Sequence, residues 1–246
     1  MTKVHVGTMG WSYNFWVGNF YPTGTAPDKY LPEYSKHFDT VEVDNTFYRI
    51  PYESTVTNWK DQTPDNFLFS VKFPRVVTHV RLLKNCRETV DVFIKRVSKL
   101  ENKLGPLLIQ LPYELKPEHI ETLSSFISNL PQEYRYVVEV RNKKLLGDEL
   151  YTLLRKYDVA LALVDHPFMP RIETLTGDFV YVRLEGDRRK VKGTLGQTER
   201  DRTNDIRQWA EKTKTLLSQS QDVFVYVSKY YSGHPPTDAM NLLHSL

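Results

Sequence analysis

Eight short runs rich in Val, Leu, Ile, Phe and Tyr recur along the chain, at 5–9, 40–45, 68–73, 107–111, 136–141, 160–165, 179–184 and 223–228. Near-continuous apolar runs of this length are what parallel strands covered by helices on both faces require. Between most of them lie stretches of helical period, at 27–38, 54–62, 87–104, 117–129, 148–157 and 204–217. Pro27 and Pro117 suit a first helical position, where the missing amide costs little, and Ser54 offers a side-chain oxygen to cap the helix that begins there. Pro235 and Pro236 introduce a last short helix. The sixth crossover, 166–177, carries Pro167 and Pro170, which leave room for a loop or a single turn. Eight alternating strands in 246 residues predict an α/β protein, a (β/α)8 TIM-type barrel forming a single domain over 1–246, with the helix after strand six missing or degenerate. An open doubly wound sheet is the structural alternative.

Charged residues interrupt these apolar runs in a regular way. With the two-residue period of a strand, Glu42 and Asp44 share a face, as do Ser70 and Lys72, Glu139 and Arg141, and Arg183 and Glu185. Gln110, Asp165 and Ser228 sit late in three further runs. Their apolar neighbours of opposite parity, such as Val41 and Val43 or Val138 and Val140, belong against the helices, so the polar set is expected inside the barrel near its C-terminal mouth. Two readings of Glu42, Lys72, Glu139, Arg141, Asp165 and Arg183 stand side by side: catalytic groups around a ligand, or a buried, mutually neutralising network that sets strand register.

Composition narrows the class without naming a reaction. A chain with 40% hydrophobic and 13% aromatic residues has the make-up of an ordinary globular protein. The 33 basic residues nearly match the 30 acidic ones, so a net charge of +3 does not demand a nucleic-acid partner. The single Cys86 cannot form an intramolecular disulfide, and no apolar run approaches the ~20 residues of a membrane span, which together suggest a cytoplasmic protein with no membrane partner. Neither a Walker loop nor a dinucleotide Gly-x-Gly-x-x-Gly follows a strand, and no Gly-x-Ser-x-Gly elbow is present, so there is no nucleotide-cofactor signal.

The strand ends carry an ordered set of motifs. Gly7-Thr8-Met9-Gly10-Trp11-Ser12-Tyr13 opens it, followed by Phe38-Asp39-Thr40-Val41-Glu42-Val43 and Asn45-Thr46-Phe47-Tyr48. Phe69-Ser70-Val71-Lys72, Leu107-Leu108-Ile109-Gln110-Leu111-Pro112, Val138-Glu139-Val140-Arg141, Asp165 before Pro167, and Phe179-Val180-Tyr181-Val182-Arg183-Leu184 with Gly186 complete it. Across essentially the whole chain this resembles the domain of unknown function 72 family, also called YecE-like, and the resemblance implies a TIM-type barrel without a settled reaction. Where members of that family often show an Asn-Asn-Asp-like stretch after the eighth strand, this chain has Ser228-Lys229-Tyr230-Tyr231 before Gly233-His234, so no role is inherited for that loop.

The favoured chemistry is that of a hydrolase, lyase or isomerase acting on a small polar or anionic substrate. Glu42 or Glu139 would be the general base, with Lys72, Arg141 or Arg183 stabilising negative charge. Trp11, Asn45, Tyr48, Gln110, Tyr181 and Ser228 are the expected substrate contacts, with Tyr13, Phe15, Trp16, Phe20, Tyr21 and Phe47 available either to wall the pocket or to cap the core. A divalent metal held by Glu42, Glu139, Asp165 and His166 is the sharper variant, although no close ligand motif supports it. From a different class comes binding of nucleic acid or another phosphodiester, including a metal-dependent nuclease, through Arg188, Arg189, Lys190 and Lys192 after the seventh strand; with Glu199 and Asp201 close behind, that segment also reads as a solvated loop. A non-catalytic ligand-binding module is the third reading.

Overall fold

The computed structural model describes residues 3–218 and 222–246. In chain order the elements are β1 (Lys3–Thr8), α1 (Tyr30–Tyr34), β2 (Thr40–Val43), α2 (Glu53–Asp61), β3 (Leu68–Lys72), α3 (Arg87–Val97), β4 (Leu104–Leu111), α4 (Ile120–Ser128), β5 (Tyr136–Val140), α5 (Asp148–Lys156), β6 (Ala160–Leu161), β7 (Leu163–Asp165), β8 (Phe179–Leu184), α6 (Thr203–Leu217), β9 (Asp222–Val227) and α7 (Pro235–His244). This is a mixed α/β fold whose strands all pair in parallel, in two sheets of order β1-β9-β8-β7 and β2-β3-β4-β5-β6.

The run expected as one sixth strand is two short strands broken at Ala162, whose amide donates to the Val138 carbonyl of β5 at 2.9 Å. At the other junction Met9 bridges Glu42 in parallel, and the Gly10 amide donates to the Glu42 carbonyl at 2.8 Å. Gly7 permits that approach, because a Cβ there would stand 2.2 Å from the Thr40 carbonyl oxygen.

Several local expectations need correction. Tyr52, not Ser54, is the N-cap of α2, and no side chain caps that helix; Ser54 lies inside its first turn. The long helix expected at 87–104 ends as α3 at Val97 and continues as 3₁₀ turns through Lys103, with Glu101 in the left-handed region at φ 54°. The turns place the buried Lys103 ammonium against the Lys60 and Thr63 carbonyls, each at 2.7 Å, where a cation satisfies carbonyls left over at the C-terminal end of α2. Pro27 and Pro117 do stand at helix starts, in the 3₁₀ turns ahead of α1 and α4. No helix occupies the crossover between β7 and β8. Among the described residues no helix is long and apolar enough to cross a membrane.

Strand parity divides the interior. Val41, Val43, Ile109, Val138, Val140, Val182, Leu184, Val225 and Val227 join the large apolar cluster under the helices. Leu108, Val137, Phe179, Tyr181, Phe224 and Tyr226, of the opposite parity, form a second cluster on the other face, and the polar strand residues continue that face toward the C-terminal ends.

The last helix contains a buried acid. Asp238, in the first turn of α7, accepts a hydrogen bond from Ser232 Oγ at 2.5 Å, and burial pushes its carboxyl up from 3.8 to about 7. The native state therefore binds more protons than the unfolded chain between those values, and stability falls as pH rises through that window. Asp238→Asn removes the titration. Urea unfolding is expected to show the variant more stable than wild type by about 1–3 kcal/mol at about pH 8, with the gain gone near pH 4; parallel pH profiles would refute it.

Candidate functional site

Arg183, late in β8, is only 1% exposed, and each of its five N–H donors is matched. Nε reaches Glu42 Oε2 at 2.9 Å, and one terminal nitrogen reaches Glu42 Oε1 at 2.6 Å and Met9 Sδ at 3.4 Å. The other terminal nitrogen donates to both Glu139 and Glu185. Arg141 completes the network, its Nε 2.5 Å from Glu139 and its Nη2 2.6 Å from Glu185 Oε1, while Gln110 Nε2 donates to Glu139 at 3.0 Å. Glu42 and Glu139 come from one sheet, Arg183 from the other, so the ion pairs span both.

Three carboxylates thus meet two guanidiniums, leaving one negative charge in excess. The excess falls on Glu42, the carboxylate that Arg141 does not touch. Burial drives its carboxyl up from 4.5 to about 7 even though the Arg183 ion pair and hydrogen bonds pull the other way, and nearby Asp44 adds to the rise. Glu185 is the opposite case: burial would raise it, but Arg183 and Arg141 override that and hold it well below the carboxylate range. Tyr181 donates to Glu42 Oε2 at 2.7 Å.

Above this layer the strand ends are less enclosed. Lys72 Nζ lies 3.8 Å from Asp44 Oδ1 and 4.4 Å from the centre of the Phe47 ring. Asp44 Oδ1, also 3.9 Å from Arg183, has no hydrogen-bond partner among the described residues. The side chains of Asp44 and Arg141 keep 36% and 21% exposure, enough to be met from solvent. His79 and His166 are both held down by burial first and by neighbouring cations next, Lys72 beside His79 and Arg141 beside His166. Both are neutral imidazoles at neutral pH, His79 falling to about 4. Gly186, at φ +71°, lets the segment after β8 press on the one after β9, since a Cβ there would stand 2.1 Å from the Tyr230 carbonyl oxygen.

Of the expected catalytic set, Glu42, Lys72, Glu139, Arg141 and Arg183 are brought together, with Glu42, Glu139 and Arg183 sealed from solvent. Asp165 is not. Its Oδ2 is taken by Trp209 Nε1 at 2.8 Å, Arg171 at 2.9 Å and Tyr231 at 3.2 Å, a knot that ties α6 to the end of β7 where the crossover helix is lacking. The four side chains considered for a metal, Glu42, Glu139, Asp165 and His166, are likewise not assembled: among the described residues no three Asp, Glu, His or Cys are grouped to hold an ion. His166 Nδ1 instead accepts the Phe168 amide at 3.2 Å.

Among the expected substrate contacts, Trp11 is buried against Trp59 and Phe69 as part of the core, and Tyr181 lies wholly inside beneath Glu42. Gln110 and Ser228 are buried at strand ends, while Asn45 and Tyr48 are exposed beside them. Trp16 and Tyr21 are also core. The basic segment is not a loose loop: Arg189 chelates Asp187 at 3.1 and 3.2 Å and covers Phe168, and Glu199 clamps the Lys192 and Gly193 amides at 2.8 and 2.7 Å. Arg188 stacks on Tyr230, and Lys229 lies among Tyr13, Phe15 and Tyr230. Lys190 joins the turn through its backbone, its amide donating to Asp187 O at 2.9 Å.

Residues outside the expected set also belong to the site. Glu185 carries the period-two signature with Arg183, whereas His79 and Lys229 stand in segments after strands where no periodicity points to them. A groove of about 850 Å³ lies elsewhere, between the helices α3 and α4, bordered by Cys86, Val90 and Phe126 and by none of the strand-end charges. At the strand ends titratable groups converge with shifted proton affinity, Glu42 raised and Glu185, His79 and His166 lowered.

A family model described as "Protein of unknown function DUF72" matches residues 5–246. The UPF0759 protein YecE of Escherichia coli (strain K12) is 35% identical over 154 residues, 62% of this chain and 54% of that protein, so the match spans little more than half of the relative's length. The UPF0759 protein YunF of Bacillus subtilis (strain 168) is 24% identical over 99% of this chain and 94% of its own. The crystal structure of a DUF72 family protein from Thermotoga maritima superimposes with a TM-score of 0.83 at 26% identity, covering 99% of this chain and 97% of that one. Another, from Enterococcus faecalis, gives 0.77 at 20% identity over 99% and 95%, a likeness of fold alone.

Proposed function

Because this chain belongs to the DUF72 family, described as one of unknown function, its chemistry has to be read from its own residues, and we propose that it is an acid–base enzyme, a hydrolase, lyase or isomerase, acting on a small anionic substrate at the strand ends. The observation that carries the reading is the pairing of two unequal layers. Below, Glu42 holds a proton with an affinity near neutrality; above, the Lys72 ammonium and Asp44 carboxylate face each other at 3.8 Å without a closed hydrogen bond. Lys72 and Arg141 take the anionic group of the substrate, and Glu42, one pleat deeper than Asp44, gives or receives the proton. Glu139 is the less suited of the two, since it is paired with two guanidiniums, Arg183 and Arg141, where Glu42 is paired with Arg183 alone.

We read the two sheets as one closed (β/α)8 barrel and the chain as a single domain. The Met9–Glu42 bridge at one junction, the break of a single residue between β6 and β7 at the other, and a charge network spanning both sheets favour closure. The exposed Arg188 and the half-buried Lys229 add positive charge beside the opening.

The test is calorimetric and thermal-shift binding of inorganic phosphate, citrate, glucose 6-phosphate and glucose to wild type, Lys72→Met and Arg141→Met. Anionic probes are expected to bind and glucose not, with each substitution weakening the anions about 10-fold or more, the loss of one charge-assisted contact. Equal binding of glucose, or anion binding indifferent to both substitutions, would sink the reading.

A further inference from the structure

Beneath Glu42 three oxygen-to-oxygen contacts run in line: Glu42 Oε2 to the Tyr181 hydroxyl at 2.7 Å, Tyr181 to Ser70 Oγ at 2.6 Å, and Ser70 Oγ to the Pro106 carbonyl at 2.8 Å. Each contact needs one proton. The two hydroxyls supply only two, the carbonyl supplies none, and an ionised carboxylate supplies none. With Glu42 charged, one contact of the three is left as two lone pairs in a site sealed from water, a cost that buried polar groups avoid. A proton on Glu42 fills the set: Glu42 donates to Tyr181, Tyr181 to Ser70, and Ser70 to Pro106.

The surrounding charges ask for the same proton. Around Glu42 stand Arg183 and Tyr181 of β8, Asp44 just past β2, Tyr226 of β9 and Tyr13 after β1, and through Arg183 and Asp44 it is linked to Glu139 of β5, Lys72 of β3, and Glu185 and Arg141 just past β8 and β5. With Glu42 neutral, the Glu139 and Glu185 carboxylates balance the Arg141 and Arg183 guanidiniums. Burial keeps Tyr181 and Tyr226 far above the ordinary phenol range, so both retain their own protons throughout.

We infer that the Ser70–Tyr181 hydroxyl pair holds Glu42 as a neutral carboxylic acid in the resting protein, and that the pair reverses its hydrogen-bond direction when that proton leaves. On release, no heavy atom has to move. The Glu42 O–H turns from Tyr181 toward the substrate above and gives its proton to a basic atom there, the Tyr181 O–H turns from Ser70 to the new carboxylate, and the Ser70 O–H turns from Pro106 to Tyr181. Recharging runs the same rotations backward. The pair is a positioning device and touches no substrate; it rests on the reading of the strand ends as an acid–base site.

Infrared difference titration of protein labelled with ¹³C at glutamate carboxyls, from about pH 5 to 9, follows Glu42 without any turnover. Wild type is expected to show one protonated glutamic acid band that titrates near neutrality and is missing from Glu42→Gln. The two hydroxyl variants then shift it in opposite senses. Tyr181→Phe removes the donor that stabilises the carboxylate, so the midpoint rises by about one unit; Ser70→Ala removes the acceptor that lets Tyr181 receive the acid proton, so the midpoint falls by about one unit. A fully ionised Glu42 at about pH 6, or shifts of the same sign, overturns the relay. If Tyr181→Phe does not fold, Ser70→Ala decides alone, a rise or no shift being fatal. A normal titration with no anion binding would instead remove the proposed function and leave the relay standing.

Discussion

Replacing Arg183 with Met is expected to cost the protein about 3–5 kcal/mol, the usual penalty for removing one partner from a buried ion pair. Met approximates the volume but brings none of the five donors that now serve Glu42, Glu139, Glu185 and Met9. Three sealed carboxyls would be left with Arg141, which reaches only Glu139 and Glu185. For a chain of this size the loss corresponds to a melting temperature lower by about 6–20 °C. The deficit should be pH-dependent, because protonating the stranded carboxyls relieves it: denaturation measured at about pH 5 should show a smaller gap from wild type than at about pH 8. Adding Glu42→Gln and Glu139→Gln to the same chain should recover part of the loss. A variant as stable as wild type at both pH values would show that the guanidinium is not what holds these carboxyls.

Glu42→Gln is expected to separate catalysis from stability. Gln is close in shape, accepts from Arg183 through its carbonyl oxygen and carries no titrating proton. With Glu42 neutral in the resting protein, its replacement should leave stability near pH 7 within about 1 kcal/mol, whereas Glu139→Gln, which removes a charge that balances two guanidiniums, should cost more. The raised carboxyl of Glu42, from 4.5 to about 7, means that the native state binds extra protons between those values and loses stability as pH rises through them. The variant should escape that loss and become relatively more stable above pH 7. Turnover should nonetheless fall by about 10²- to 10⁴-fold, the range for removing a proton-transfer group, with little change in anion affinity because Lys72 and Arg141 are intact. Retained kcat on an anionic substrate would show that the reaction draws its proton elsewhere.

The layered interior was legible because strands are strict in parity. Charges at Glu42, Lys72, Glu139 and Arg183 inside apolar runs have one face available, and the face opposite Val41, Val138 and Val182 is where the structure puts them. What parity cannot say is which partner claims a side chain at the very end of a strand. Asp165 has the same signature as the others, yet Trp209, distant in sequence and brought over by α6, captures it. Trp11 sits in a motif that suggests a pocket, but its packing on Trp59 and Phe69 depends on where a later helix and strand arrive. Caps and kinks failed for a related reason. Ser54 is a good capping residue by chemistry, but α2 starts one residue earlier, and the kink at Glu101 follows from Lys103 reaching back to the carbonyls of α2, a long-range demand that overrides local helical period.

The five-donor guanidinium also sets the terms on which relatives of this chain could diverge. Lysine cannot replace it, since one ammonium cannot reach toward four separated acceptors at once, whereas the exposed side chains of Arg188 and Lys192 in the segment after β8 stand outside this fastening. A lineage could therefore exchange those side chains while the clasp between the two sheets stays shut. The freedom to vary the rim is supplied by the one residue that has no freedom of its own.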